Sequence, residues 1–283
     1  MKNTSTIDIA PVQLGALIKK KIDYRALSQN ILPIVLFFIV WELIGRANQE
    51  LNWFNPLFLP PPTLILMDGL ALAQTGMITS SIISSTSRIL VGFTLGCVIA
   101  VVMGVIMSRY TFVETWIAPI INLIGPIPAL ALLPLFIIWF GIGEFPKILL
   151  IAWSTFIPVL IYTLDGLKSV NSTLIRSALS LGANQKQIFT RVILPSAIPN
   201  ILVGIEVSLG LSFSALVVSE MMGAENGLGY IIVDARNYFK ISNMFVAIIL
   251  IGLEYSLLAY MLKKLKNRIL FWRKGGASAA IEK

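Results

Sequence analysis

Six runs of predominantly apolar residues alternate with shorter polar segments along the 283-residue chain. Most of these runs approach or exceed the roughly 20 residues that a helix needs to cross a bilayer. Their approximate limits are 31–44, 81–107, 113–140, 147–164, 196–222 and 244–261. The pattern predicts an all-α membrane protein with six transmembrane helices in residues 29–270, between an N-terminal segment (1–28) and a C-terminal tail (271–283).

The third run differs from the others in its prolines. Pro126, Pro128 and Pro134 lack a backbone donor and clash with the preceding helical turn, so one straight helix is excluded. A broken helix at membrane depth is tolerated where protein or a water-filled cavity satisfies the freed carbonyl groups. We therefore expect the third span to be broken and to line a transport path.

A row of small residues recurs every four positions in the second run, at Gly92, Gly96, Ala100 and Gly104. This spacing lets a neighbouring helix approach closely. The row predicts helix packing rather than the lining of a pore.

Polar residues inside the predicted spans are the other candidates for a transport path. A charged group at membrane depth costs at least about 2.5 kcal/mol, so it usually faces the bundle interior or a cavity. Arg88 lies in the outer turns of the second span, where it could snorkel or face water. Glu206 fits a functional site and a buried interhelical hydrogen bond or ion pair equally well. The candidate path residues are Arg88, Pro128, Pro134, Ser154, Glu206, Ser208, Ser212 and Glu220.

Basic residues are distributed unevenly between the predicted loops, and the formal net charge is +8. With both termini cytoplasmic, all but five of the 22 lysines and arginines lie on the inner side, as the positive-inside rule requires. The five at or near the outer side are Arg46, Arg88, Lys147, Arg236 and Lys240. Basic residues between membrane-length apolar runs argue against nucleic-acid binding. The first run could also be a signal peptide, but no clear small-residue cleavage site follows it.

An outer segment is predicted between the first two spans, at about 47–80. Pro60, Pro61 and Pro62 cannot lie inside a helix, whereas Thr63 can start one. We expect a short interfacial helix after Thr63.

The composition excludes several kinds of chemistry. The chain has no histidine and a single cysteine, Cys97, so it lacks the commonest metal ligand and cannot form an internal disulfide. It also has no G-x-x-x-x-G-K-[ST] loop to hold nucleotide phosphates. We expect no catalytic residue, metal site or cofactor in this chain.

The polar segment at about 168–195, between the fourth and fifth predicted spans, is the strongest functional candidate. Asn171 or Ser172 can cap a short helix, and Gly182 can end it in the left-handed conformation. The apolar positions of this helix are Leu174, Ala178 and Leu181. Asn184 with Gln187 predicts the capping box of a second helix, which we expect to stop before Pro195. The segment is thus predicted to be a helix, a glycine hinge and a second helix.

This segment resembles the cytoplasmic coupling loop of permease subunits of binding-protein-dependent ATP-binding-cassette importers. That family's motif is Glu-Ala-Ala, three residues, Gly, nine residues, Ile, one residue, Leu-Pro. Gly182, Val192, Leu194 and Pro195 fall on this spacing, and Ala178 matches the second alanine. Arg176 and Ser177 depart from it.

Three further stretches are similar to the nitrate, sulfonate, taurine and bicarbonate group of these permeases. They are the Leu-Pro-Pro-Pro segment at 59–62, the sequence GPIPALALLPLFIIWFGIG at 125–143, and Gly-Leu-Gly at 227–229 followed by Asp-Ala-Arg at 234–236. The resemblance extends over about residues 58–268.

The resemblance implies a type I importer permease fold with a cytoplasmic coupling-helix loop, in the bacterial inner membrane. It implies import of a small oxyanion such as sulfonate, taurine, nitrate or bicarbonate. The implied partners are two ATPase subunits that bind ATP and Mg, a second copy of the permease, an extracytoplasmic solute-binding protein and the lipid bilayer. The residues implied in coupling to the ATPase are Arg176, Ala178, Leu181, Gly182, Ala183, Gln187, Val192, Leu194 and Pro195.

Two alternatives remain open from the residues alone. A secondary transporter or channel independent of ATP could use Glu206 and Glu254, although no inverted repeat is visible. A membrane scaffold that transports nothing would make the coupling loop irrelevant.

Overall fold

The computed structural model describes residues 24–272, and all regular structure within this range is helical. Most of the predicted N-terminal segment and C-terminal tail lies outside the described residues. The α-helices are α1 (Tyr24–Leu51), α2 (Pro62–Gln74), α3 (Met77–Arg109), α4 (Thr111–Ile124), α5 (Ala129–Phe140), α6 (Glu144–Lys168), α7 (Ser172–Ser180), α8 (Gln185–Ile188), α9 (Leu194–Met221), α10 (Leu228–Asn237) and α11 (Ile241–Ile269). A short 3-10 helix covers Pro56–Phe58 and a π-helical segment covers Phe189–Ile193.

The described residues up to Pro62 form one compact unit, in which the chain after α1 folds back along that helix. The Trp41 indole donates to the carbonyl oxygen of Pro60 (3.1 Å). A methyl group added to Gly45 would lie 3.0 Å from Pro61, so glycine permits this close contact. The proline-rich segment is therefore fixed against α1.

The second compact unit begins at Thr63 and contains most of the long apolar helices. Across the described residues, five helices are long and apolar enough to cross a membrane: Leu32–Leu51 within α1, α3, α6, the continuous helix Gln185–Met221, and α11. Helices α4 and α5 pass the same test as a pair, but they meet at 101°. If this pair is one span, the structure has the six spans that the sequence predicts.

The third span is broken, as its prolines predict. The break lies between α4 and α5 and contains Pro126 and Pro128, whereas Pro134 lies within α5 without interrupting it. The other spans lie where the sequence predicts them, although their first and last residues differ from the predicted ones. In particular, α11 continues to Ile269 because its last turns carry lysines that still favour a helix although they are not apolar.

The core of the second unit forms where α3, α5, α6 and α9 meet. Helix α6 lies against both α3 and α9 and has many of the completely buried side chains. The buried apolar residues of this core include Ile89, Leu133, Leu150, Ile151, Leu209 and Leu216.

The small residues of α3 face α6, which confirms their predicted role in packing. A methyl group added to Gly96 would lie 2.5 Å from the carbonyl oxygen of Ala152, and one added to Gly92 would lie 2.7 Å from the side chain of Ile151. On the other side of α6, a methyl group on Gly204 of α9 would lie 2.5 Å from Tyr162. The three helices thus approach so closely that any side chain at these glycines would collide.

We predict that Gly96→Ala destabilises the protein, because α3 and α6 must separate to admit the methyl group. Overpacking of this kind costs about 1–3 kcal/mol. Gly252→Ala in α11 is the control, since no atom lies within 4 Å of the added carbon there. Thermal unfolding in detergent should show a lower midpoint for Gly96→Ala only. Equal midpoints for both variants would contradict the close packing.

Candidate functional site

The first helix of the segment 168–195 is capped at both ends by its own residues. The Asn171 side chain accepts a hydrogen bond from the backbone N–H of Thr173 (2.8 Å), so Asn171 is the cap. Gly182 has φ +80°, and its N–H donates to the carbonyl oxygen of Leu179 (2.9 Å). The Ala183 N–H donates to the carbonyl oxygen of Ala178 (3.0 Å), which completes a Schellman motif. The predicted helix and its end at Gly182 in the left-handed conformation are both confirmed.

The second helix begins with the predicted capping box. Asn184 accepts from the Gln187 N–H (2.9 Å), and the Gln187 side chain accepts from the Asn184 N–H (2.8 Å). This helix does not stop before Pro195, so the predicted end was wrong. It continues from Gln185 to Met221 without a break. The wider π-helical turn Phe189–Ile193 ends two residues before Pro195 and gives space for the proline ring.

The predicted coupling residues lie on the segment from α7 to the first turn of α9, and several of them are exposed. Leu181 is 88% exposed, and Leu174 and Leu179 of α7 are about half exposed. Arg176, Gly182 and Gln187 are also exposed. Ala178, Ala183, Val192, Leu194 and Pro195 are partly buried. An exposed apolar face next to polar and basic residues is typical of a surface that binds another protein.

A charged cluster with Arg88 at its centre joins α3 to the ends of α6 and α9 that lie away from the coupling segment. Arg88, Lys147 and Glu220 are buried, whereas the Glu144 side chain is 57% exposed. The Arg88 guanidinium donates two hydrogen bonds to Glu144 (2.6 and 2.8 Å) and one to Glu220 (2.8 Å). It also donates to the backbone oxygen and the side-chain oxygen of Asn226 (2.8 and 2.6 Å). Lys147 donates to Glu144 (3.0 Å), so two basic and two acidic side chains balance each other.

The Glu220 carboxylate of this cluster is completely buried and accepts further hydrogen bonds. Ser85 donates from its hydroxyl group (2.7 Å), and Gly229 donates from its backbone N–H (2.9 Å) at the start of α10. A methyl group on Gly227 would lie 2.5 Å from this carboxyl group, and Gly227 has φ +125°. Only glycine therefore fits at position 227, next to a carboxylate with three donors.

Sequence reasoning found Arg88 and Glu220 but missed the partners that surround them. It placed Lys147 at the start of the fourth span, near the outer side, and assigned no role to Glu144, Ser85 or Asn226. The pairing joins residues far apart in the chain, for example Arg88 and Asn226. The one available signal was the presence of several charged residues near the same predicted end of the spans.

A cavity of about 340 Å³ lies at the bend between α4 and α5, against α6 and α9. Pro128 and Ser154 line it, together with Trp153 and Ser214. The volume is at the lower end of the range for small-molecule pockets, about 300–1,000 Å³. The cavity thus has the size of a site for a small solute, at the bend where the sequence predicts a transport path.

The remaining predicted path residues do not line this cavity. Pro134 is exposed on α5, and Glu206 of α9 accepts from Lys266 of α11 (2.6 Å) as an interhelical ion pair. The hydroxyl groups of Ser208 and Ser212 are buried and donate to carbonyl oxygens of their own helix. Arg88 and Glu220 are occupied by the charged cluster. Their assignment to a path stays a prediction.

The fold defines the class of this protein. It is similar to the MetNI methionine ABC transporter in an inward-facing conformation, with a TM-score of 0.58 over 68% of this chain and 96% of that chain. The sequence identity is 19%, so this likeness concerns the fold alone. The fold is that of a type I ABC importer permease.

Residues 92–269 match the family described as the binding-protein-dependent transport system inner membrane component, and the chain belongs to this family. It is 35% identical over 250 residues to SsuC of Bacillus subtilis (strain 168), whose name assigns it to aliphatic sulfonates transport, covering 88% of this chain and 89% of SsuC. It is also 35% identical over 253 residues to the taurine transport system permease protein TauC of Escherichia coli (strain K12), covering 88% and 90%.

The chain is therefore a transmembrane permease subunit of an ATP-driven importer and a multi-pass protein of the inner membrane. Membership of this family implies, in general terms, ATPase partners and a solute-binding protein.

We predict that Arg88→Gln lowers the free energy of unfolding by about 3–5 kcal/mol, because it leaves the buried Glu220 carboxylate without its cation. The double variant Arg88→Gln with Glu220→Gln should lose less free energy of unfolding than the sum of the losses in the two single variants, since it leaves no buried carboxylate unpaired. Unfolding in mixed micelles with increasing SDS measures both.

Lys168→Gln is the control for this prediction. Lys168 pairs with Glu114, but its side chain is about half exposed, so its loss should cost at most about 1 kcal/mol. An effect of Arg88→Gln no larger than that of Lys168→Gln would show that the cluster contributes little to stability.

Proposed function

We propose that the segment from α7 to the start of α9 docks on an ATPase subunit at the cytoplasmic face and transmits its movement into the membrane. In the complete importer, two copies of this chain lie between two ATPase subunits, which bind ATP and Mg, and an extracytoplasmic protein that delivers the solute. ATP hydrolysis takes place on the ATPase subunits, and both termini of this chain are cytoplasmic.

The observation that carries this proposal is the continuous helix from Gln185 to Met221. Its first turns belong to the exposed coupling segment, and its later turns carry Glu220 of the charged cluster and Ser214 of the cavity. A rigid helix moves as a body, so a displacement at its exposed end is transmitted along its length. The two caps around Gly182 fix the angle at which α7 meets this helix.

The proposed solute is a small oxyanion such as an alkanesulfonate, taurine, nitrate or bicarbonate. The names of two relatives, each 35% identical over most of the chain, support this class, because aliphatic sulfonates and taurine both carry a sulfonate group.

The excess of basic residues in the polar loops agrees with a chain whose coupling segment faces the cytoplasm.

We predict that Gly182→Pro releases the ATPase subunit from the permease. Proline fixes φ near −65° and cannot adopt the +80° found at this position, so the angle between α7 and α8 must change. Co-purification of the ATPase subunit with the tagged permease from membranes measures the effect, and recovery should fall at least about tenfold, which corresponds to a loss of about 1.4 kcal/mol in binding.

Gly76→Pro is a closely matched control. Gly76 has φ +78°, no atom within 4 Å of an added carbon, and an N–H that donates to a carbonyl oxygen three residues earlier, as Gly182 does. It lies before α3, away from the coupling segment. Gly76→Pro should therefore retain the ATPase subunit, and release by both variants, or by neither, would refute the proposed docking surface.

The proposed orientation of the chain in the membrane, with the coupling segment on the cytoplasmic side, gives a second prediction. In a Cys97→Ala background, a cysteine introduced at Gln185 should react with a membrane-impermeant maleimide only in inside-out vesicles, whereas one introduced at Tyr238 should react in right-side-out vesicles. Both positions are exposed in the structure, so accessibility does not limit the comparison. Labelling of Gln185→Cys from the exterior would rule out docking on a cytoplasmic ATPase.

A further inference from the structure

We propose that the cavity at the bend between α4 and α5 binds the anionic group of the solute in transit, with the Ser154 hydroxyl group and the N-terminal amides of α5 as donors. This inference rests on the oxyanion class proposed above and adds the place at which this chain holds the anion. The expected ligand has one negatively charged group on a short apolar body.

Ser154 is the first observation that points to a ligand. The residue is 8% exposed and lines the cavity, and its hydroxyl oxygen has no hydrogen-bond partner within residues 24–272. Other hydroxyl groups at membrane depth do have partners, because Thr155, Ser212 and Ser214 each donate to a carbonyl oxygen of their own helix. Buried polar groups are nearly always hydrogen-bonded, so the Ser154 hydroxyl lacks a partner that a ligand can supply.

The start of α5 is the second observation. The break in the span places Ala129 and Leu130, the first two residues of this helix, in the cavity wall. The first N–H groups of a helix have no acceptor within the helix, and in the described structure no side chain caps α5. These amides carry the partial positive charge of the helix dipole, which favours an anion.

The rest of the cavity wall determines what kind of anion fits. None of the described lining residues is charged, so no carboxylate repels an anion and no lysine or arginine holds it tightly. Trp153, Ile157, Leu211 and Val218 supply apolar surface for a short hydrocarbon body. Binding by one hydroxyl group and two amides is weak, which suits a site that must release its ligand in every transport cycle.

The test uses a cysteine reporter at the cavity in the full-length chain, reconstituted in phosphatidylcholine nanodiscs. Ser214→Cys in a Cys97→Ala background places the only thiol at the cavity wall while leaving Ser154 intact. The rate of labelling by N-ethylmaleimide is measured with propane-1-sulfonate, propan-1-ol or propan-1-amine at equal concentration. We expect the sulfonate to slow labelling at least fivefold and the alcohol and the amine to slow it less than twofold.

A second set of variants tests the donor. Adding Ser154→Ala to the reporter should reduce the protection by propane-1-sulfonate to less than twofold, whereas Ser154→Thr, which keeps the hydroxyl group, should retain it. Leu181→Cys in the same Cys97→Ala background is the control site, since it is far along the chain from the cavity wall and 88% exposed. The sulfonate should not change its labelling.

Several outcomes would overturn the inference. Equal protection by the three probes would indicate a merely apolar pocket, and protection that survives Ser154→Ala would exclude the hydroxyl group as a donor. Absence of protection would exclude an anion site. If phosphatidylglycerol in the nanodisc slows labelling as much as the sulfonate does, the site binds a lipid headgroup instead of the solute. None of these results affects the docking proposed above, which is tested separately by recovery of the ATPase subunit.

Discussion

Helix α6 lies between α3 and α9 at distances that only small residues allow, and the second unit of the structure is built around this contact. The carbonyl oxygen of Ala152 takes the place that a side chain at Gly96 would need, and Tyr162 does the same at Gly204. In a bilayer, helices gain little from burying apolar surface against each other, because lipid is also apolar. The main attraction between these helices is therefore close van der Waals contact, which the glycines permit because they have no side chain.

The charged cluster around Arg88 adds specificity to this packing. Its acidic and basic side chains come from α3, α6 and α9, and the backbone N–H of Gly229 brings in the start of α10. Buried ion pairs often contribute little net stability, because removing the charges from water costs about as much as their attraction returns. Wrong arrangements of the helices would leave one of these charges unpaired, so the cluster favours a single arrangement.

Helix α9 takes part in all the features that the proposed mechanism needs. It continues the coupling segment, packs on α6, lines the cavity with Ser214 and places Glu220 in the charged cluster. On the proposed mechanism, a movement of the coupling segment therefore reaches the cavity and the cluster together. The helix remains continuous through Pro195, where the preceding π-helical turn gives space for the proline ring.

The sequence by itself determined the features that depend on neighbouring residues or on the bilayer. These include the apolar spans, the break at Pro126 and Pro128, a cap at Asn171 or Ser172, the capping box at Asn184, and the left-handed turn at Gly182. Each follows from local backbone geometry or from the need to satisfy backbone groups in lipid. The spacing of small residues on α3 likewise predicted a close helix contact, although not which helix would make it.

Only the tertiary structure decided which distant residues meet. The partners of Arg88 come from two distant parts of the chain, Glu144 from one and Glu220 and Asn226 from the other, and no local pattern encodes their pairing. The same holds for the cavity, which needs the bend of one span and the faces of two others. The helix through Pro195 shows the limit of local rules, because a proline does not always end a helix, and here a π-helical turn precedes it.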